Sequence, residues 1–315
     1  MAITNLYTLY GVNIAATSPV FLGQIRDWGV SAGISEFLEG SDGDVDARYA
    51  AVNEQRMSVS FTTRDIKAAL DAAGISGRQI DVDTPDTLGA IECWFQVIDK
   101  GGTRKAGGSG DNHTKLTLSD GILLPRQLQA SQGQLAEISY DALLTYDGSN
   151  NPIVIDTTAN LSGTPGTSVL WTLGPVSING AAINGVTDLT VDCGIEEIVE
   201  GSDGEVWPRY SAIMSRRPSI TFRTPDAGLL NTLGITGAAQ GASDSLVYLR
   251  KVAKGGMRVA DGTAEHIKIA IDDGRITVRE ARGTHGERLG VKVQITPVYD
   301  GTNEVLAITT ASAIT

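Results

Sequence analysis

Aromatic residues make up only 5% of this 315-residue chain, which holds just two cysteines and three histidines. Cys93 and Cys193 have no C-x-x-C or histidine companion spacing, so neither a disulfide framework nor a zinc site is supported, and no cofactor is expected. No apolar run approaches the roughly 18 residues of a membrane helix, and no membrane partner is expected. A positive balance is also missing. The 37 acids outnumber the 25 bases, for a net charge of −12. That argues against gripping nucleic acid by phosphate neutralisation, but leaves open a protein that must not grip it. No basic residue precedes Arg26, so MAITNLYTLYGVNIAA does not read as a signal peptide, and the expected place of assembly is a bacterial-type cytosol. What is present is an ordinary globular mixture, 41% hydrophobic and 20% charged, with 37 glycines for turns and enough length for two domains.

The chain says much of itself twice. EGSDGDVDARY from Glu39 returns as EGSDGEVWPRY from Glu200, with eight of eleven positions alike at an offset of 161. RMSVSFTT (Arg56 to Thr63) aligns with RPSITFRT (Arg217 to Thr224) at the same offset. Lys-Gly-Gly at Lys100 and Lys254 follows at 154, and Tyr146-Asp147-Gly148 and Tyr299-Asp300-Gly301 at 153. Such drift between elements is what loops tolerate. The pattern is a tandem duplication: one domain over 1–155, a small polar linker over 156–168, and a second copy over 169–315. A solenoid is excluded, because its periods are roughly 20–50 residues.

Within a unit, Met57, Val59 and Phe61 alternate with serines and a threonine, which predicts a half-buried strand; Ile220 and Phe222 keep the phase. The period then changes. Thr63 precedes one short helical stretch and Thr224 another, the second with Pro225 at the first helical position; Gly74 and Gly234 close them. Further alternation (Ile91, Cys93, Phe95, Val97; Ala136 to Leu144; Leu289 to Ile295) predicts strands separated by Lys-Gly-Gly, Asp-Gly and Tyr-Asp-Gly turns. Each copy therefore reads as mainly β, an antiparallel sandwich or partly closed barrel with one flanking short helix.

Chemistry-bearing motifs are sparse. DGDVD (Asp42 to Asp46) begins like a calcium loop but has Ala47 where glycine is required and Asn53 where glutamate is. GGTRKAGGSG lacks the G-K-[ST] ending of a phosphate loop and reads as a hairpin tip. His113 and His266 are equivalent and are expected on a polar strand face; neither they nor His285 has a nucleophile or acid–base partner preserved in both copies, so an enzyme is not expected. The best-preserved block is the loop itself. Glu39, Asp42, Asp44, Arg48 and Tyr49 are answered by Glu200, Asp203, Glu205, Arg209 and Tyr210. Glycines explain turns, but no turn requires the arginine and tyrosine. Those residue types anchor interfaces, so the loops are expected to dock on a neighbouring subunit or ring, with Arg48 and Arg209 paired to carboxylates there.

The polar loop between early strands, the strand running into one capped helix, the late long strand and the Tyr-Asp-Gly-x-Asn hairpin together resemble the major tail tube proteins of long-tailed bacteriophages, over both halves. The resemblance implies a homotrimer forming a pseudo-hexameric ring, since each chain would carry two of six domains. It implies rings stacked into a tail tube in the virion, assembled in the host cytoplasm, with tape-measure and tail-terminator or baseplate proteins as partners. DNA would pass without tight binding through an acid-rich lumen. The alternatives are a tandem β-sandwich binding module for carbohydrate or another surface, and a capsid decoration or baseplate protein. Trp28, Trp94, Trp171 and Trp207 do not occupy repeated positions, as an aromatic binding platform in each copy would require.

Overall fold

A computed structural model of the chain describes residues 5–14, 20–40, 42–81, 87–99, 101–105, 107, 112–161, 163, 169–201, 204–233, 240–283 and 289–315. The first repeat contributes β1 (Asn5–Ile14), β2 (Val20–Leu22), β3 (Ile25–Ser31), β4 (Ile34–Glu39), β5 (Tyr49–Gln55) and β6 (Ser58–Thr63). Helix α1 (Ile66–Ala73) follows, then β7 (Arg78–Asp81), β8 (Ile91–Asp99), β9 (His113–Leu118), β10 (Asp120–Ser131), β11 (Glu137–Leu144) and β12 (Ile153–Ala159). The second repeat runs in the same order. Its strands are β13 (Leu170–Ile178), β14 (Ala181–Ile183), β15 (Asp188–Asp192), β16 (Ile195–Glu200), β17 (Tyr210–Arg216) and β18 (Ser219–Thr224). After α2 (Gly228–Leu233) come β19 (Gln240–Gly241), β20 (Ser245–Val252), β21 (His266–Ile271), β22 (Gly274–Arg282), β23 (Gly290–Pro297) and β24 (Ala307–Ser312).

The fold is antiparallel β, of sandwich class, and no sheet closes into a barrel. Each repeat has its own five-stranded sheet, β12-β9-β8-β1-β2 in one and β24-β21-β20-β13-β14 in the other. Both rest on one shared sheet, ordered β19-β22-β23-β18-β15-β10-β11-β6-β3, with β7 also paired to β10. The shared sheet is continuous because β10 of the first repeat pairs with β15 of the second, from Gln127 opposite Asp192 to Ser131 opposite Asp188. Leu128 and Ala130 on one side of this seam and Leu189 and Val191 on the other are buried in a single core.

Alternation decides which face is inside. Ile138, Tyr140, Ala142 and Leu144 of β11 and Val291, Val293 and Ile295 of β23 are all buried, and the residues between them, polar except for Leu143, are half-buried on the other face. Phe61 stacks on Tyr140 at 5.5 Å across the β6–β11 pair. In β8 the alternation slips: Trp94 and Gln96 are buried while Phe95 is half-buried. The facing strand β1 has a register shift between Leu9 and Gly11, and such a bulge re-aims the side chains around it.

Two turns and one helix start differ from the sequence reading. Asp120-Gly121 is a corner that carries the chain from the small sheet into the shared one; Gly121 sits at φ 134, where a Cβ would lie 2.1 Å from the Leu143 carbonyl. Tyr146-Asp147-Gly148 likewise joins β11 and β12, which lie in different sheets, rather than making a hairpin. The Asp147 carboxylate accepts the Ser149 and Asn150 amides there, and Asp300 repeats the arrangement with Thr302 and Asn303. Helix α2 starts at Gly228, not at Pro225, because Thr224 Oγ1 accepts the Asp226 amide and Asp226 in turn accepts that of Gly228. Gly234 lies outside the described residues. The segment read as a linker opens inside β12, where Asp156 pairs with Lys115 and Ala159 with His113; 162 and 164–168 lie outside the described residues.

Candidate functional site

Each repeat projects a two-stranded arm from the shared sheet, β4–β5 in the first and β16–β17 in the second. Gly33 and Gly194 open these arms at φ 55 and 54. A Cβ there would meet the carbonyl oxygen of Arg56 at 1.9 Å and of Arg217 at 2.0 Å, so only glycine fits the bend. The arms also share a register shift, after Ser35 and after Glu196, so that Glu36 and Glu197 occupy the same place.

The repeated loops cap the arms. Glu39 lies opposite Tyr49 in the last rung and Glu200 opposite Tyr210; the Arg48 and Arg209 amides donate to the Glu39 and Glu200 carbonyls, both at 2.8 Å. The Arg48 side chain pairs with Asp44, Nη2 to Oδ1 3.0 Å, and Arg209 pairs with Glu205. The carboxylates that meet these arginines thus come from four residues earlier in the same loop, since the turn sets those side chains beside one another. Asp42 is exposed, and Asp203 lies outside the described residues.

The second loop nevertheless reaches the other repeat. The Gln55 amide donates to the Val206 carbonyl at 2.7 Å and the Tyr146 amide to the Pro208 carbonyl at 2.8 Å. Trp207 Nε1 donates to Gln55 Oε1 at 3.1 Å, its ring lies 5.1 Å from that of Tyr146, and the Arg209 guanidinium sits 5.1 Å from the Tyr146 ring centre. Between the arms runs an open groove of about 670 Å³, lined by Phe37, Val52, Arg56, Glu200 and Val206 among others.

At the base of the second arm stands Arg126, the extra residue of a bulge in β10 between Pro125 and Gln127. Its Nε donates to Asp141 at 2.8 Å, and Nη1 and Nη2 donate to the two Glu197 oxygens at 3.0 and 2.7 Å. The hydrogen bond from Arg126 holds the Glu197 carboxyl below the usual glutamate range, against the opposing effect of burial. Beside this pair Cys193 and Ile195 pack on Ile122 and Leu124. The Cys193 thiol is pushed up to about 12 by burial, as is that of Cys93, so both are unreactive at neutral pH.

No protein-family model matches the chain, and no curated protein matches it.

The histidines correct the sequence reading. His113 and His266 are fully buried, not on a polar face. Their Nδ1 atoms accept the Val97 and Lys251 amides at 3.2 and 3.1 Å. The register shifts beside each of them, between Asp156 and Ala159 on β12 and between Thr309 and Ser312 on β24, and this turns the histidine out of phase with the polar residues. His285 lies outside the described residues. Among the described residues no group of three or more His, Cys, Asp and Glu is placed to hold a metal ion. The calcium-like loop gives Asp44 to Arg48 instead. In the glycine-rich segment Gly102 donates to the Asp99 carbonyl in a tight turn; residues 106 and 108–111 lie outside the described residues.

Sequence reasoning missed Arg126, Glu197, Gln55 and Tyr146 as site residues. For three of them a signal existed. Arg126 recurs as Arg279, Glu197 answers Glu36, and Tyr146 recurs as Tyr299.

Proposed function

We propose that the chain is a structural building block that joins copies of itself head to tail into a closed ring, and that stacked rings form a phage-type tail tube conducting DNA. Three chains supply six repeats to each ring. The tube belongs to the virion tail, is assembled in the host cytoplasm, and meets tape-measure and terminator or baseplate proteins at its ends.

The observation that carries this reading is the β10–β15 seam. It joins one edge of the first repeat to the opposite edge of the second. The equivalents of those edges, β22 and β3, lie at the two ends of the shared sheet, with β22 partly covered by the two-residue β19. An interface between unlike edges repeats from copy to copy, and makes a ring where its rotation closes. Closure also removes the unpaired strand edges that otherwise invite uncontrolled pairing. The register at the seam transfers directly: Val30 would face Ala281 of another copy as Val191 faces Leu128.

The outward face of the shared sheet suits a passage. It forms a shallow concavity of about 380 Å³ around Gln127, Thr190, Ser219 and Thr221. Asp188 lies opposite Arg223, which lies opposite Lys292, so this face is mixed rather than acid-rich. The alternative of a carbohydrate platform finds less support, because all four tryptophans are buried or half-buried. The deciding experiment is native mass measurement with electron microscopy of the purified chain. Rings of three chains with approximate sixfold symmetry are expected; rings of six chains, or compact monomers at every concentration, sink the proposal.

A further inference from the structure

The arm of the second repeat is clasped by the first, whereas the arm of the first repeat meets the second through Gln55 and leaves its apolar side chains exposed. Ile195 is 7% exposed but its equivalent Ile34 is 52% exposed, and Val52 is exposed where its equivalent Ile213 is half-buried. At the far end of the chain the receptor for an arm is duplicated without an occupant. Arg279 is the bulge residue of β22, between Val278 and Glu280, as Arg126 is of β10. Arg279 Nε donates to Gln294 Oε1 at 2.6 Å, in the way Arg126 Nε donates to Asp141. Its remaining nitrogens have no carboxylate partner among the described residues. Glu36, which holds the place of Glu197, has no basic partner among the described residues. Tyr299, the equivalent of Tyr146, is 66% exposed.

We infer that the β4–β5 arm of one chain clasps the second repeat of another copy, with Glu36 binding the Arg279 guanidinium and Arg48 lying over the Tyr299 ring. This rests on the head-to-tail reading and adds its specific contact. The intramolecular clasp supplies the template at each point: a two-pronged carboxylate on Arg126, and Arg209 over Tyr146.

The two clasps would not be equal. Within the chain, Cys193 and Ile195 rest on the apolar pair Ile122 and Leu124, and Trp207 covers Tyr146. Between chains the same positions bring Ala32 and Ile34 onto Arg275 and Thr277, with Asp46 in place of Trp207. The seam between chains is therefore the more polar, held by exposed charge and weakened by salt, whose screening length is about 8 Å at physiological ionic strength. Each chain carries one tight clasp and one salt-sensitive clasp.

Charge reversal tests this. Glu36→Arg and Arg279→Glu each set like charges together at every junction between chains, while the double variant restores an opposite pair. Assembly is followed by light scattering against concentration at low and physiological salt, and folding of each free chain by its thermal transition. Expected are unchanged folding, a concentration for assembly raised about tenfold or more in either single variant, and recovery in the double variant. Single variants that assemble like the parent, or a double variant no better than either single one, overturn the clasp while leaving the ring intact. Parent rings with a mass other than three chains overturn the ring reading, and recovery in the double variant would still uphold the clasp.

Discussion

Arg126 and Glu197, 71 residues apart and in different repeats, meet through two parallel hydrogen bonds of 3.0 and 2.7 Å. Hydrogen bonds to charged groups contribute about 1.5–3 kcal/mol each, less where water reaches them. With both side chains partly exposed, Arg126→Ala should cost about 1–3 kcal/mol in urea unfolding. Glu197→Gln should cost less, since it keeps one acceptor. Loss of under about 0.3 kcal/mol from Arg126→Ala would mean that the seam is held by the sheet alone.

The same pair sets a pH dependence. Glu197 titrates lower in the folded chain than when unfolded, because Arg126 bonds its ionised form. Its contribution is complete above the ordinary glutamate value, about 4.3, and is lost as pH falls through the depressed folded value. Parent and Glu197→Gln stabilities should therefore differ at pH 7 and converge toward pH 3, as followed by denaturant titration across that range.

Legibility in the sequence was uneven for a physical reason. Alternation reports which face of a strand is buried, and that placed the β6, β11 and β23 cores correctly. It says nothing about which strand lies alongside, so the β10–β15 seam and the arm resting on Tyr146 were not visible. Nor does it survive a bulge, which is why His113 and His266 were placed on the wrong face. The loops were legible because both copies keep them, but their arginines meet Asp44 and Glu205 at hand.

Gly194→Ala forces a side chain into a left-handed backbone and against the Arg217 carbonyl. It should destabilise the free chain by at least about 2 kcal/mol. Gly33→Ala carries the same local strain, but its arm rests on nothing comparable within the chain. It should cost less stability and show itself mainly as impaired assembly. Equal loss of stability in the two variants, measured by thermal unfolding, would contradict the distinction between a clasped arm and an exposed one.

Val30 lies on the outer edge strand β3 and is 49% exposed, while its equivalent Val191 is fully buried at the seam. Val30→Lys should leave the unfolding transition of the free chain within about 0.5 kcal/mol. In a sizing column it should hold the chain as a monomer where the parent assembles. Val191→Lys should instead prevent folding.

Both thiols should be silent toward a thiol reagent at pH 7 in the folded chain, because burial holds them at about 12. Both should react at once in denaturant. Fast reaction of one thiol under native conditions would reveal local opening, at the arm base for Cys193 or in the sandwich for Cys93.

Covalent continuity between the repeats would change the kinetic order of the proposed assembly. The β10–β15 seam forms within one molecule, so its effective concentration is set by the chain rather than by the solution. In the proposed ring, three such chains would come together in two encounters where six single units would need five. The rate of that assembly would fall less steeply on dilution, and its smallest intermediate would already hold one complete seam.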